Sequence, residues 1–158
     1  AAEAGVTSAV IMSIVASASL FAWILNTRDI ATVAASAILG FTASPWALLI
    51  LMNALLLLAG LFLDAISIFY IFMPVFLPII RHAGIDPVHF GIIATVNLAI
   101  GQVTPPVGVN LVAASGVSGE TVGRIARAAV PLIAAELIAL VLITVFPVIS
   151  LFLPDLLR

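Results

Sequence analysis

The chain has no cysteine and no lysine, and only 8% of its 158 residues are charged. Without cysteine there is no disulfide and no thiolate metal site, and the redox compartment leaves no mark on the sequence. Seven acidic residues against five arginines give a net charge of −2, which argues against nucleic acid as a partner. Soluble domains carry about 25% charged residues. A content of 8%, with 65% hydrophobic residues and a mean hydropathy of +1.41, points instead to a lipid bilayer. There is no HExxH helix for an intramembrane zinc protease. An aspartyl protease needs two facing carboxylates, but Asp64 has no obvious partner and no GxGD occurs. No enzyme is expected. The opening Ala1-Ala2-Glu3-Ala4-Gly5 has no methionine, basic n-region or cleavage site, so no signal peptide is read and the chain is expected to begin within something longer.

What is present is most informative at Gly101-Gln102-Val103-Thr104-Pro105-Pro106-Val107-Gly108-Val109-Asn110. Two consecutive prolines lie inside an otherwise apolar run. Proline lacks an N–H, so the carbonyls four residues back, those of Gly101 and Gln102, lose their helical partners. Thr104 precedes a proline and is pushed out of helical geometry, and Gly108 relaxes the backbone again. The helix should break at membrane depth, where irregular backbone is tolerated only if buried in protein or lining a polar cavity. Many secondary transporters hold a coupling ion and substrate at such a break. The bland alternative is a kink in a packed helix, since prolines are common in membrane spans.

Four units follow along the chain: 1–44, 45–82, 83–118 and 119–158. The first has a small-residue helix over 5–26 whose Ser13, Ala16, Ser17, Ala18 and Ser19 suit close helix packing. A second helix over 30–41 is too short to span and lacks a basic interfacial face, so it is expected to pack on protein. The second unit, 46–81, is apolar between Trp46 and Arg81-His82, which read as interface anchors. It is interrupted at Gly60-Leu61-Phe62-Leu63-Asp64-Ala65-Ile66-Ser67. Either two spans meet in a minimal turn or a re-entrant hairpin has its tip here. A tip at the water surface should be more polar, so the hairpin is favoured. The third unit holds Asn97, the break and Ser115-Gly116. The fourth spans 128–153 with Glu136 as its only charge and Pro131 and Pro147 near its ends. At about 1.5 Å per residue, each of the last two units can cross a core of about 30 Å.

Arg124 and Arg127 form the densest basic cluster, which puts their loop in the cytoplasm by a weak charge bias. Asp64 is costly at depth and reads either as an ion ligand or as the cap of the returning helix. Glu136 reads as an ion or proton relay, or as the partner of a neighbouring helix. His82 and His89 flank a loop and read as interfacial.

The series Asp86-Pro87-Val88-His89-Phe90-Gly91-Ile92, Asn97-Leu98-Ala99-Ile100-Gly101, Thr104-Pro105-Pro106-Val107-Gly108-Val109-Asn110-Leu111 and Ala114-Ser115-Gly116 resembles the large membrane subunit of TRAP (tripartite ATP-independent periplasmic) transporters. Ala18-Ser19-Leu20-Phe21-Ala22-Trp23 and Leu61-Phe62-Leu63-Asp64 fit the same family. The resemblance implies an all-α integral membrane protein of the bacterial inner membrane, multi-pass. Its fold would be half of an inverted-repeat, elevator-type ion transporter, with a re-entrant helical hairpin and broken transmembrane helices. The chain matches the second repeat only, and the first is the main departure from the family pattern. It implies sodium-coupled uptake of organic acids such as C4-dicarboxylates or sialic acids. Its partners would be a periplasmic substrate-binding protein, a small membrane subunit and the first repeat. A one-component sodium–dicarboxylate symporter is the alternative.

Sodium is a hard cation that takes several oxygen ligands, as calcium and magnesium do. On this mapping Gly60, Asp64, Gly101, Gln102, Thr104 and Gly108 form the expected sodium set, between hairpin tip and break. Ser67, Asn97, Asn110 and Ser115 are the expected substrate-facing residues, aided by helix N-termini at the break.

Overall fold

The computed structural model describes residues 27–41 and 44–157, together with positions 5, 9, 12, 13, 16, 17, 19–21, 23 and 24. The helix read over 5–26 therefore lies largely outside the described residues. Those described residues form helices, turns and loops, with no strand among them.

Helix α1 (Ile30–Phe41) lies against α3 (Ala65–His82), and its Ile38 and Leu39 pack on the core. Helix α2 (Pro45–Gly60) starts with proline in its first turn, where no N–H is needed. Its 16 residues give about 24 Å, short of a hydrocarbon core of about 30 Å. The chain turns through Leu61, Phe62 and Leu63 into α3, which carries Arg81 and His82 in its last turn, where positive charge is favoured.

Helix α4 (Pro87–Gln102) opens on Asp86, whose carboxylate accepts from the N–H groups of Val88 and His89. It ends before the double proline. Helix α5 (Val109–Ser118) is bounded by Gly108 at φ 53° and Gly119 at φ 73°, a left-handed backbone that favours glycine.

The run read as the last span is two helices, α6 (Val122–Val145) and α7 (Pro147–Leu156). Pro147 has no N–H to offer the preceding turn, and Phe146 leaves helical geometry at φ −115°, ψ 86°. Pro131 and Pro154 stay inside their helices.

The core forms where α2, α3 and α4 meet. Leu48, Met52 and Leu56 recur at helical spacing on α2 and pack with Ile68, Phe76, Ile79 and Ile80 of α3 and Phe90, Ile93, Ala94 and Leu98 of α4. Phe76 and Phe90 meet edge to face at 5.8 Å between centroids, a favoured aromatic geometry. Outside this core α6 leaves Val130, Leu132, Ile138 and Val141 exposed. Helices α3 and α6 are long and apolar enough to cross a membrane. An exposed apolar surface of this kind marks a lipid or protein contact.

Candidate ion and substrate site at the hairpin tip

The last residue of α2 lies on the penultimate residue of α4. A Cβ built on Gly101 would sit 2.7 Å from the Cα and carbonyl carbon of Gly60, and one built on Gly60 would sit 3.2 Å from the Gly101 Cα. Backbone packs on backbone, and a Cβ on Gly101 would not fit without moving it. The α2–α3 turn is thereby fixed beside the end of α4, where the helix breaks.

At the break the hydrogen-bond ladder comes apart as the prolines dictate. The Gly101 carbonyl is taken by the Thr104 N–H at 3.1 Å, a tighter i+3 bond. Among the described residues the Gln102 carbonyl receives no backbone N–H, because Pro105 and Pro106 have none to give. The Thr104 hydroxyl donates to the Ile100 carbonyl at 2.6 Å, leaving its lone pairs for another donor or a cation. The Pro105–Pro106 peptide bond is cis. Gly108 closes the break, where a Cβ would meet Leu111 at 2.8 Å and the Thr104 carbonyl oxygen at 3.2 Å.

Asp64 is the N-cap of α3. One carboxylate oxygen accepts from the Ser67 N–H at 3.0 Å and the other from the Ser67 hydroxyl, so Asp64 and Ser67 are joined to each other. Asn97 is fully buried; its amide donates to the side-chain oxygen of Asn53 at 2.6 Å and to the Asn53 carbonyl at 3.1 Å. Asn110 lies exposed in the first turn of α5. Ser115 lies near the other end of that helix, its hydroxyl donating to the Glu120 carbonyl at 2.6 Å. Gly60 and Gly101 are thus in contact, Thr104 and Gly108 flank the same break, and Ser115 is tied to the loop at the far end of α5.

Among the described residues no group of three or more histidines and carboxylates is placed to hold a metal ion. The donors gathered here are neutral oxygens, the Gln102 carbonyl and the Thr104 hydroxyl, with the Asp64 carboxylate on the turn. That set suits a hard monovalent cation better than a transition metal.

Sequence reasoning passed over Asn53, and the structure gives surroundings to His89 and Glu136, which it had named. Asn53 is the only amide in the apolar stretch of α2 and could have been singled out for that alone, because intramembrane amides seek partners on neighbouring helices. Its own amide donates to the Leu49 carbonyl at 2.9 Å, which fixes its oxygen toward Asn97. His89, in the first turn of α4 beside the loop, is buried in the protein, with Nδ1 3.1 Å from the Ser150 hydroxyl of α7. Glu136 faces inward from α6, with one carboxylate oxygen enclosed and unpartnered among the described residues.

Residues 1–149 match the family described as tripartite ATP-independent periplasmic transporter, DctM component. The chain belongs to this family. Over 150 residues it is 44% identical to the isethionate TRAP transporter permease protein DctMQ of Oleidesulfovibrio alaskensis, a match covering 95% of this chain and 24% of that protein. It is 43% identical over 153 residues to the C4-dicarboxylate TRAP transporter large permease protein DctM of Pseudomonas aeruginosa, covering 97% and 36%. With the sialic acid TRAP transporter large permease protein SiaM of Vibrio cholerae it shares 36% identity over 150 residues, covering 95% and 35%. The chain spans between 24% and 36% of the length of these curated relatives. In this DctM-family chain, Gly101 of the glycine crossing falls within the ordered motif series, and Gly60 directly precedes Leu61-Phe62-Leu63-Asp64.

Proposed function

We propose that the chain is the second repeat of the large membrane subunit of a sodium-coupled secondary transporter that imports organic acids. The acids are of the kinds its relatives are named for: C4-dicarboxylates, sialic acid and isethionate. In this reading α2 and α3 form a re-entrant hairpin in an elevator-type fold of the bacterial inner membrane. The missing half of the sites comes from the first repeat. A periplasmic binding protein delivers the substrate, and a small membrane subunit accompanies the large one.

The observation that supports the reading best is the Gly60–Gly101 crossing. It sets a hairpin tip beside a broken helix end whose Gln102 carbonyl and Thr104 lone pairs lack helical partners. Free oxygens at a discontinuous helix are what a coupling ion requires. Sodium would be held among the Gln102 carbonyl, the Thr104 hydroxyl and backbone around Gly60 and Gly108, with Asp64 nearby on the tip.

The test is uptake of labelled succinate, N-acetylneuraminate and isethionate into proteoliposomes holding the complete permease. Uptake is measured with and without an inward sodium gradient, and with and without the binding protein. Dependence on both is expected. Dependence on sodium alone would favour a one-component symporter, and indifference to sodium would remove the ion site.

A further inference from the structure

Three enclosed side-chain atoms lack a hydrogen-bond partner among the described residues: Asn97 Oδ1, Glu136 Oε2 and His89 Nε2. The first two belong to helices that pack together, α4 and α6. An amide oxygen and a carboxylate oxygen both accept, so neither can satisfy the other. Enclosing a polar group without a partner is costly. A single donor placed between the two would satisfy both.

The packing brings them to one level. At the start of α4 the His89 ring is turned to the backbone of Thr144 on α6. Just past the end of α4, Thr104 and Pro105 line a cavity with Ala126, Arg127 and Val130 of α6. The two helices therefore run antiparallel. Asn97 follows His89 along α4 by the same number of residues that Glu136 precedes Thr144 along α6. Each step is about 12 Å at the common helical rise.

The faces agree as well. On α6, Glu136 stands in a stripe with Ile133, Leu140 and Ile143, at three- and four-residue spacing, and those three side chains pack in or on the core. On α4, His89, Ile93, Asn97 and Ile100 form one buried stripe, and it continues to Thr104. The Asn97 amide nitrogen is spent on Asn53 of α2, so only its oxygen remains for α6.

A proton is the donor that fits this place. A neutral carboxyl has an O–H to give, whereas a carboxylate only accepts. A sodium ion would want several further oxygens, and the stripe around Glu136 offers isoleucine and leucine. Arg124 and Arg127 lie about 18 and 13 Å back along α6, toward the Glu120 end, where Arg124 is paired.

We propose that Glu136 binds a proton and donates through it to Asn97 Oδ1, fastening α6 to α4. The step is protonation alone: an Oε2–H bond forms with a proton taken from water, and nothing is oxidised or reduced. The packing of α6 on the helix that ends in the break thereby becomes proton-linked. This goes beyond the transport reading and does not depend on which acid is carried. The other ionisable groups on elements packed against α6 are His89 and the cap Asp86 of α4, and Asp155 in the last turn of α7, while α5 has none. They are the same in wild type and in a Glu136 variant, so their titration cancels in the comparison.

Glu136→Gln keeps the shape of the neutral carboxyl and carries a permanent N–H donor for Asn97. Thermal midpoints of the complete solubilised permease, wild type and Glu136→Gln, are measured from about pH 5 to about pH 8, because folding that takes up a proton loses stability as pH rises. Glu136→Gln has no such proton to lose. It is expected to match wild type at the acid end and to exceed it by at least about 2 °C at the alkaline end. Infrared difference spectroscopy reads the proton without unfolding: a protonated-carboxyl carbonyl band is expected in wild type, absent from Glu136→Gln and shifted in Asn97→Leu.

A midpoint difference that does not change with pH overturns the proposal. So does a wild type that gains on Glu136→Gln as pH rises, which would mean an ionised Glu136 paired with a cation from elsewhere in the transporter. A carboxyl band unmoved by Asn97→Leu overturns the assignment of Asn97 as acceptor. Sodium that stabilises wild type but not Glu136→Gln at the alkaline end would give the place to a sodium ion instead. The organic-acid reading is tested by uptake and stands or falls separately.

Discussion

Gly101 passes Gly60 backbone to backbone, and the contact is tighter from one side: 2.7 Å for a Cβ on Gly101 against 3.2 Å for one on Gly60. The two alanine substitutions should therefore differ. Both gain roughly 1 kcal/mol of helix propensity. Gly101→Ala also forces backbone apart, an overpacking cost of about 1–3 kcal/mol. Gly101→Ala should lower the midpoint of thermal unfolding of the complete permease and abolish sodium-driven uptake, while Gly60→Ala stays near wild type in stability. Equal midpoints for the two variants would contradict the crossing.

The Asn53–Asn97 pair is the polar bond between α2 and α4 below that crossing. Asn97→Ala leaves the half-buried Asn53 side-chain oxygen without its donor, a loss of about 1–3 kcal/mol. Asn53→Asp keeps an acceptor for Asn97 and should cost less than Asn53→Leu. The double Asn53→Leu, Asn97→Leu variant should be more stable than the sum of its singles, because no polar group of that pair is left unpaired. Denaturant or thermal unfolding of the four proteins reads the coupling, and strict additivity would disprove it.

Asp64 and sodium can be separated by one conservative change. Asparagine caps a helix about as well as aspartate, whereas alanine costs about 1 kcal/mol. Asp64→Asn should keep the unfolding midpoint of wild type and Asp64→Ala should lower it. If the carboxylate also contributes charge to the ion site, Asp64→Asn raises the sodium concentration for half-maximal uptake by about tenfold, equivalent to about 1.4 kcal/mol. An unchanged sodium curve would leave Asp64 with capping alone.

The Thr104 hydroxyl gives its proton to Ile100 and keeps its lone pairs. Thr104→Ser should preserve sodium half-activation. Thr104→Val, close in shape and without the oxygen, should raise it severalfold while half-saturation for the acid at saturating sodium stays put. Sodium dependence of uptake unaltered in Thr104→Val would exclude the side chain from the site.

Much of the secondary structure was legible because the signals are local. The break at 101–110 follows from two missing N–H groups, and the glycines at 108 and 119 take the positive φ their positions demand. The start of α6 was misplaced for an equally local reason. Arg124 and Arg127 were read as loop, yet Glu120 and Arg124 form an i, i+4 pair that supports the first turn of a helix from Val122. The split at Phe146 was hidden because Pro147 was counted as a residue near the end of one span rather than the start of another.

The sequence by itself determined the solvent, the helical class, the place where the backbone must come apart and the family. All of these depend on composition or on spacings within one segment. Tertiary structure alone decided that Gly60 meets Gly101, that Asn97 faces Asn53, that His89 is buried under Ser150 and that Arg127 shares a cavity with Thr104. Each joins residues on different elements, and which pair meets depends on how apolar helix faces pack. In a chain this uniformly hydrophobic, many faces satisfy a helical pattern equally well, and only close packing of particular side chains selects among them.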